Sequence, residues 1–186
     1  LADDVYTSRQ LVDMERRSDE LSEEEAHIPT GIAKLDKYIG GLDRGSMYVI
    51  AASTRIGKTV LGVNVAANAL INHNKRVLYF SLEMSRGQMI RRFYACMGEL
   101  GMSEIKDSNR DKKTTKLLEK VRQKFASSEL LICCRGSLTH LDIRSLTRKY
   151  LHTGLDLVIV DYLQILKPEG KSFSREREVA SMSQSL

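Results

Sequence analysis

The stretch Tyr48-Val-Ile-Ala-Ala-Ser-Thr-Arg-Ile-Gly-Lys-Thr-Val-Leu-Gly62 decides the fold. Met47 to Ala52 is a short apolar run with β-branched Val49 and Ile50, and it reads as a buried strand. A turn ends in Gly57-Lys58-Thr59. An apolar, Ala-rich helix follows through Val63, Val65, Ala66, Ala67 and Leu70. Strand, loop, Gly-Lys-Thr and helix is the context a phosphate-binding loop requires. The first amides of a helix lack intrahelical acceptors, so they and the loop amides before them can point at phosphate oxygens. Gly57 lets the backbone approach closely, Lys58 can reach the β- and γ-phosphates, and the Thr59 hydroxyl can ligate magnesium. Ser53, Thr54, Arg55, Ile56, Gly57, Lys58, Thr59 and Val60 are therefore the candidate nucleotide-binding residues. The generic pattern opens with Gly, and that position is Ala52 here. The alternative is a Lys-Thr helix start that merely caps itself with Thr59. The flanking strand and helix argue for the nucleotide site.

The chain of 186 residues suffices for one domain with a sizeable core. Hydrophobic content of 42% and charged content of 28% are ordinary for a globular protein. No run of about 18 apolar residues indicates a membrane span. Asp3, Asp4 and Asp13 stand where a signal peptide would have its apolar core, so nothing directs export. Cys96, Cys133 and Cys134 are odd in number and lack C-x-x-C spacing, which fits neither a disulfide framework nor a zinc site. A reducing cytoplasm is the expected compartment. His27, His73, His140 and His152 are scattered and read as ordinary loop or surface residues. Residues 1–25 hold nine acids and three bases, so a net charge of +5 leaves +11 on the remainder. A basic body attracts nucleic acid, but charge of this size does not by itself assign such a partner.

Residues 1–25 read as an acidic amphipathic helix with Val5, Leu11, Val12 and Met14 on a sparse apolar face. Such a helix either docks on its own domain or a neighbour, or is a frayed tail. Pro29 and Gly31 break the pattern, and Ile32, Leu35, Tyr38 and Ile39 then suggest a short helix closed by Gly40-Gly41. Beyond the loop and its helix, Arg76 to Leu82 reads as a second strand with Glu83 at its end. A helix over 86–100 follows, with Met89, Ile90, Phe93, Met97 and Leu100 at helical spacing. Residues 101–114 read as loop. Leu117, Leu118, Val121 and Phe125 mark another helix, flanked by a stripe of Lys116, Lys120 and Lys124. That stripe fits a solvated face better than a nucleic-acid contact. Leu130–Cys134 is a third strand, Leu141–Leu151 a helix, and Leu155–Asp161 a fourth strand. A last helical pattern starts near Arg175. Strands alternating with helices, and written as near-continuous apolar runs, imply an α/β fold: a mainly parallel sheet with helices on both faces.

Two carboxylates stand out. Asp161 ends the buried run Leu157-Val-Ile-Val160. An acid there suits the magnesium side of a phosphate site, or else a cap or turn. Glu83 ends the strand expected to lie beside the phosphate-loop strand, where ligands gather at carboxyl ends. It suits a general base acting on the attacking water. Equally, it suits a capping acid for the next helix, although Ser85 fits that position too.

Ile28-Pro-Thr-Gly31 with Leu35-Asp36 and Gly41-Leu42, the Ala52-opened loop, Phe80-Ser-Leu-Glu-Met-Ser85 and Val158-Ile-Val-Asp-Tyr-Leu-Gln164 together resemble the DnaB-type replicative helicases. They follow the order and rough spacing of that family's RecA-like P-loop motor domain, from about residue 28 to the end. The resemblance implies ATP and magnesium as cofactors, with Glu83 as catalytic base, Lys58 on the phosphates, and Thr59 and Asp161 on the metal side. It implies an ATP-driven helicase acting on single-stranded DNA as a ring, expected to be hexameric. Primase and a helicase loader are the implied partners, in a bacterium or in a phage within a bacterial host. Residues 1–27 then correspond to a linker helix and connection that docks on the adjacent subunit. Residues 28–186 correspond to a partial motor domain, whose next strand, arginine finger and DNA loops are expected further along a longer chain. Ser53-Thr-Arg-Ile56 departs from the family's usual Arg-Pro-Ser-Met, which displaces the basic residue to Arg55. A recombinase-like or clock-type ATPase without unwinding, and a nucleotide-switched loader module, are the alternatives.

Overall fold

The computed structural model describes residues 7–19, 27–53 and 55–162. It divides into two compact units, Leu1–Val49 and Ile50–Leu186.

The first unit holds helix α1 (Ser8–Asp19), strand β1 (His27–Ile28), helix α2 (Ala33–Ile39) and strand β2 (Leu42–Asp43). Leu11 and Val12 on α1 are exposed. Strands β1 and β2 pair antiparallel, His27 opposite Asp43 and Ile28 opposite Leu42, a small ladder that the sequence pattern did not announce. The Asp36 carboxylate organises the turn between them. It accepts from the Thr30 amide (2.8 Å), the Thr30 hydroxyl (2.6 Å) and the Gly31 amide (3.1 Å). Gly40 then closes α2 at φ 74°, the left-handed cap that glycine takes without a Cβ penalty. Gly41 lies so close to β1 that a Cβ there would stand 3.2 Å from the Ile28 carbonyl oxygen.

The second unit is built on three parallel strands in the order β4-β3-β5: β3 is Val77–Ser81, β4 Leu130–Cys133 and β5 Leu157–Asp161. Helix α3 (Lys58–Asn72) follows the phosphate loop. Helices α4 (Arg86–Gly98), α5 (Met102–Lys106) and α6 (Lys112–Ala126) connect β3 to β4, and α7 (His140–Leu151) connects β4 to β5. Every residue of β3 is buried, as expected of a central strand covered on both faces. Leu78, Phe80 and Leu82 point to one face, where Leu138, Ile143 and Leu146 of the α7 region pack against them. Tyr79 points to the other face, where its ring meets Phe93 of α4 edge-on at 6.0 Å. Phe93 in turn contacts Phe125 of α6 at 5.8 Å. Side chains alternate along a strand, so one strand serves two layers.

The helices begin where their sequences supply caps. Ser85 accepts from the Gln88 amide while the Gln88 side chain accepts from the Ser85 amide. Asp111 caps α6 through the Thr114 amide, and Thr139 with Asp142 forms a reciprocal box at α7. Helix α5 falls in the stretch read as loop. The Glu104 carboxylate accepts from the Gly101 amide at 2.6 Å, and buried Ile105 anchors the turn.

The strand expected over Met47–Ala52 is absent from the described ladders. Its composition suits a strand, yet a strand needs a neighbour for its N–H and C=O groups. Both edges of β3 are taken, by β4 and β5, so the phosphate-loop segment does not lie beside β3 as expected. Met47, Val49 and Ile50 are correspondingly exposed. The helical pattern from Arg175, Val5 of the first helix and the segment 167–174 lie outside the described residues.

Two outcomes follow from these contacts. Phe93→Ala, which opens the aromatic cluster under the sheet, should cost about 3–5 kcal/mol in chemical denaturation. For Asp36, burial pushes the carboxyl up, but the Thr30 hydroxyl and the amides of Thr30, Gly31 and Ile32 outweigh it and hold the pKa below its usual 3.8. A depressed carboxyl stabilises above its unfolded pKa, and the contribution is lost as pH falls through the lower folded value. Asp36→Asn should therefore quicken amide exchange of Thr30 and Gly31 about tenfold at neutral pH, with a difference that shrinks in acid.

Candidate functional site

The site begins with the loop before α3. Gly57 is the N-cap residue of that helix at φ 107°, ψ 24°, a conformation that strongly favours glycine. The first amide bonded within the helix is Leu61, to the Gly57 carbonyl at 3.0 Å. The amides of Lys58, Thr59 and Val60 precede it and remain for an anion. Arg55 sits at φ 65°, unusual for a residue with a side chain, and is exposed. Ser53, Ile56 and Val60 are exposed as well. Thr54 lies outside the described residues. The Lys58 ammonium donates to the carbonyl oxygens of Ala52 (2.8 Å) and Ser53 (3.2 Å) and stands 5.7 Å from the centre of the Tyr162 ring.

That last contact brings the helix start to the end of β5. In the parallel ladder Ser81 is opposite Asp161, and the Leu82 amide donates to the Asp161 carbonyl at 2.9 Å. The carboxyl ends of β3 and β5 are thus level, and α3 packs across both strands. Asp161 is buried at 7% exposure, the one acid among the buried residues described. Glu83 lies in the bend between β3 and α4 and is exposed. The cap of α4 is Ser85, so the capping role weighed for Glu83 is already taken.

Tyr79, fully buried in β3, directs its hydroxyl to Asp161 Oδ2 at 3.4 Å. Burial, and then the adjacent Asp161 carboxylate, push the phenol well above its usual pKa, so it keeps its proton and donates. The hydroxyl reaches that position beside Gly62 of α3, where a Cβ would stand only 2.8 Å from it. Tyr79, Gly62 and Tyr162 were not singled out from sequence. The available signals were a tyrosine hydroxyl within a strand apolar up to Ser81 and a glycine inside an Ala-rich helix, which costs about 1 kcal/mol against alanine. The thiols of Cys96, Cys133 and Cys134 are free, and burial pushes each one up, as befits packing residues.

The donor set fits magnesium. Among the described residues no group of three His, Cys, Asp or Glu side chains could hold a metal by itself. Magnesium asks for less: one or two hard protein oxygens, with phosphates and water completing its shell. A Thr59 hydroxyl at the helix start and a buried carboxylate at the strand end are oxygens of that kind.

A phosphate loop, a helix start, a carboxylate at the end of β5 and another in the bend after β3 of a parallel sheet define a RecA-like P-loop nucleotide-binding domain. Residues 27–186 match the DnaB-like helicase C-terminal domain. The chain belongs to that family. It is 30% identical over 161 residues to the replicative DNA helicase DnaB of Geobacillus stearothermophilus, covering 86% of this chain and 36% of that protein. It is 33% identical over 163 residues to the corresponding helicase of Haemophilus influenzae, covering 86% of this chain and 35% of that protein. Among solved structures, the ATPase domain of G40P superposes with a TM-score of 0.86 at 26% identity, over 99% of this chain and 66% of that one. A DnaB-like replicative helicase, studied with its interactions with primase, gives 0.85 at 25% identity, over 97% and 45%. The chain spans about a third of the length of the curated relatives it matches.

Gly57→Ala should strain the loop by about 1–3 kcal/mol, since alanine resists this φ. Affinity for a fluorescent nucleotide is expected to fall about tenfold or more while the far-ultraviolet circular dichroism stays unchanged.

Proposed function

We propose that this chain is the motor part of an ATP-dependent replicative DNA helicase, which hydrolyses ATP to move along single-stranded DNA and separate a duplex. The observation that carries the proposal is the meeting of the phosphate loop with the level ends of β3 and β5, with Asp161 closing β5 and Glu83 in the bend past β3. In a chain of this family, that arrangement supports phosphoryl transfer to water.

The amides of Gly57, Lys58, Thr59 and Val60 bind the phosphates of the nucleotide at the start of α3. The Lys58 ammonium exchanges the carbonyls of Ala52 and Ser53 for phosphate oxygens, a swap between partners of similar reach. Thr59 and Asp161 are the residues that would hold magnesium, which when bound would supply charge neutralisation at the phosphate oxygens. Glu83, exposed in the bend after β3, takes a proton from the water whose oxygen attacks the γ-phosphorus. The bond from that phosphorus to the bridging oxygen of ADP breaks, and phosphate leaves. Arg55, Ile56, Ser53 and Thr54 complete the loop around the nucleotide.

On this reading residues 28–186 are part of a motor domain and residues 1–27 a linker helix and connection. The exposed Leu11 and Val12 suit an apolar face that docks on a neighbouring subunit of a ring, expected to be hexameric. Single-stranded DNA in the ring, primase and a loader are the partners of the whole protein, in the cytoplasm of a bacterium or of a phage-infected one. Among the described residues no helix is long and apolar enough to cross a membrane.

The test is ATP hydrolysis and strand displacement by the longer protein, with hydrolysis by this chain alongside, each with and without single-stranded DNA. DNA-stimulated turnover with unwinding supports a motor. Turnover indifferent to DNA, without unwinding, would assign a ring or filament ATPase of another kind. Lys58→Ala should abolish unwinding, and unwinding at the wild-type rate would remove this loop from the mechanism. Glu83→Gln should keep nucleotide affinity within about twofold while turnover falls about 100-fold or more, as expected for a lost general base.

A further inference from the structure

We propose that Tyr79 is a positioning residue for Asp161: its buried hydroxyl holds one oxygen of the carboxylate, and Gly62 exists to leave room for that hydroxyl. The inference rests on the reading of Asp161 as the magnesium-side acid and adds the element that orients it.

A phenol hydroxyl buried in a sheet is costly unless it finds an acceptor. Tyr79 is 0% exposed, and the acceptor it meets is Asp161 Oδ2 at 3.4 Å. Three contacts fix the hydroxyl there. The strand pairing sets Tyr79 opposite Ile159 and Ser81 opposite Asp161, so the tyrosine starts two residues before the carboxylate and its length spans the gap. Phe93 holds the ring edge-on, with an interplanar angle of 82°. On the third side α3 passes directly over the hydroxyl at Gly62. A Cβ at that position would be 2.8 Å from the hydroxyl oxygen, but at an ordinary 3.6 Å from Tyr79 Cζ and from Ile159 Cγ2. Only the hydroxyl, and not the ring, demands glycine there.

The chemical consequence concerns the orientation of the acid. A donor on Oδ2 favours one rotation of the carboxylate and leaves the other oxygen for a different partner. Outer partners of this kind set the orientation of ligating groups, and their removal typically weakens metal affinity about 10–100-fold. A long bond of 3.4 Å belongs at the lower end of that range.

The test measures metal linkage directly, with a fluorescent ADP analogue bound to the full chain in EDTA and across a magnesium series. Tyr79→Phe should leave binding in EDTA unchanged and move the magnesium midpoint up about tenfold. An unchanged midpoint would overturn the proposal. A wild-type chain whose nucleotide binding ignored magnesium would instead sink the site assignment itself, so the two failures are distinct. Gly62→Ala supplies a second route that keeps the tyrosine: the new Cβ displaces the hydroxyl and should raise the same midpoint. In thermal melts Gly62→Ala should lower Tm in the wild-type background and raise it in Tyr79→Phe, because alanine favours the helix once the hydroxyl is gone. Equal losses in both backgrounds would show that glycine is required for another reason.

Discussion

The register between β3 and β5 is the constraint from which the site follows. The Leu82 amide bonds to the Asp161 carbonyl one step beyond the Ser81–Asp161 pair, so the two strands stop at the same height. A slip of one residue would turn every side chain of β5 to the opposite face and carry Asp161 away from α3. The register is held from the far end as well. There the Arg76 guanidinium pairs with Glu129 at 2.6 Å and donates to the Thr153 carbonyl, while the Arg76 amide donates to Asp156 at 2.8 Å. One residue thus ties together the starts of all three strands. The partly exposed ion pair itself contributes little, about 0–1 kcal/mol. Its value is geometric, because aligned starts and strands of equal rise give aligned ends.

Packing then makes the alignment rigid. The apolar alternation of β3 divides its side chains between two helical layers: Leu78, Phe80 and Leu82 toward α7, and Tyr79 toward α3 and α4. A strand buried on both faces has no polar side to relax toward. Of the polar groups on that second face, the Ser81 hydroxyl donates to the Met84 carbonyl at 3.4 Å, and the Tyr79 hydroxyl is directed at Asp161. Here the demands of the core and of the chemistry fall on the same residue, and Gly62 carries part of the cost as a helix-interior glycine worth about 1 kcal/mol against alanine.

What could be read from the sequence was local, and what could not was pairing. The helix after Gly57-Lys58-Thr59, the strands over Arg76–Leu82 and Leu155–Asp161, and the cap at Ser85 follow from patterns within a few residues. The order β4-β3-β5 does not, because β3, β4 and β5 have similar apolar runs, and nothing in composition says which are neighbours. Hence Met47–Ala52 reads as a strand from its residues yet lies outside the described ladders. Glu83 and Asp161 were legible as strand-end acids. The contact between Tyr79 and Asp161 joins residues 82 positions apart and was not.

The two carboxylates also differ in surroundings, as the two roles proposed for them require. Glu83 is exposed in a bend, with capping assigned to Ser85, so its oxygens can meet water without disturbing packed structure. Asp161 is buried under α3, beside a phenol that donates to it, where a charge is tolerated only with partners. Exchanging the two environments would serve neither role. A base locked under the helix could not reach an incoming water, and a metal-side acid on an exposed bend would have many rotamers where magnesium accepts few. The bend after β3 begins one residue past the last pair of the ladder, Ser81 opposite Asp161. The parallel ladder thus leaves an exposed acid in the bend after one strand and a buried acid at the end of its neighbour.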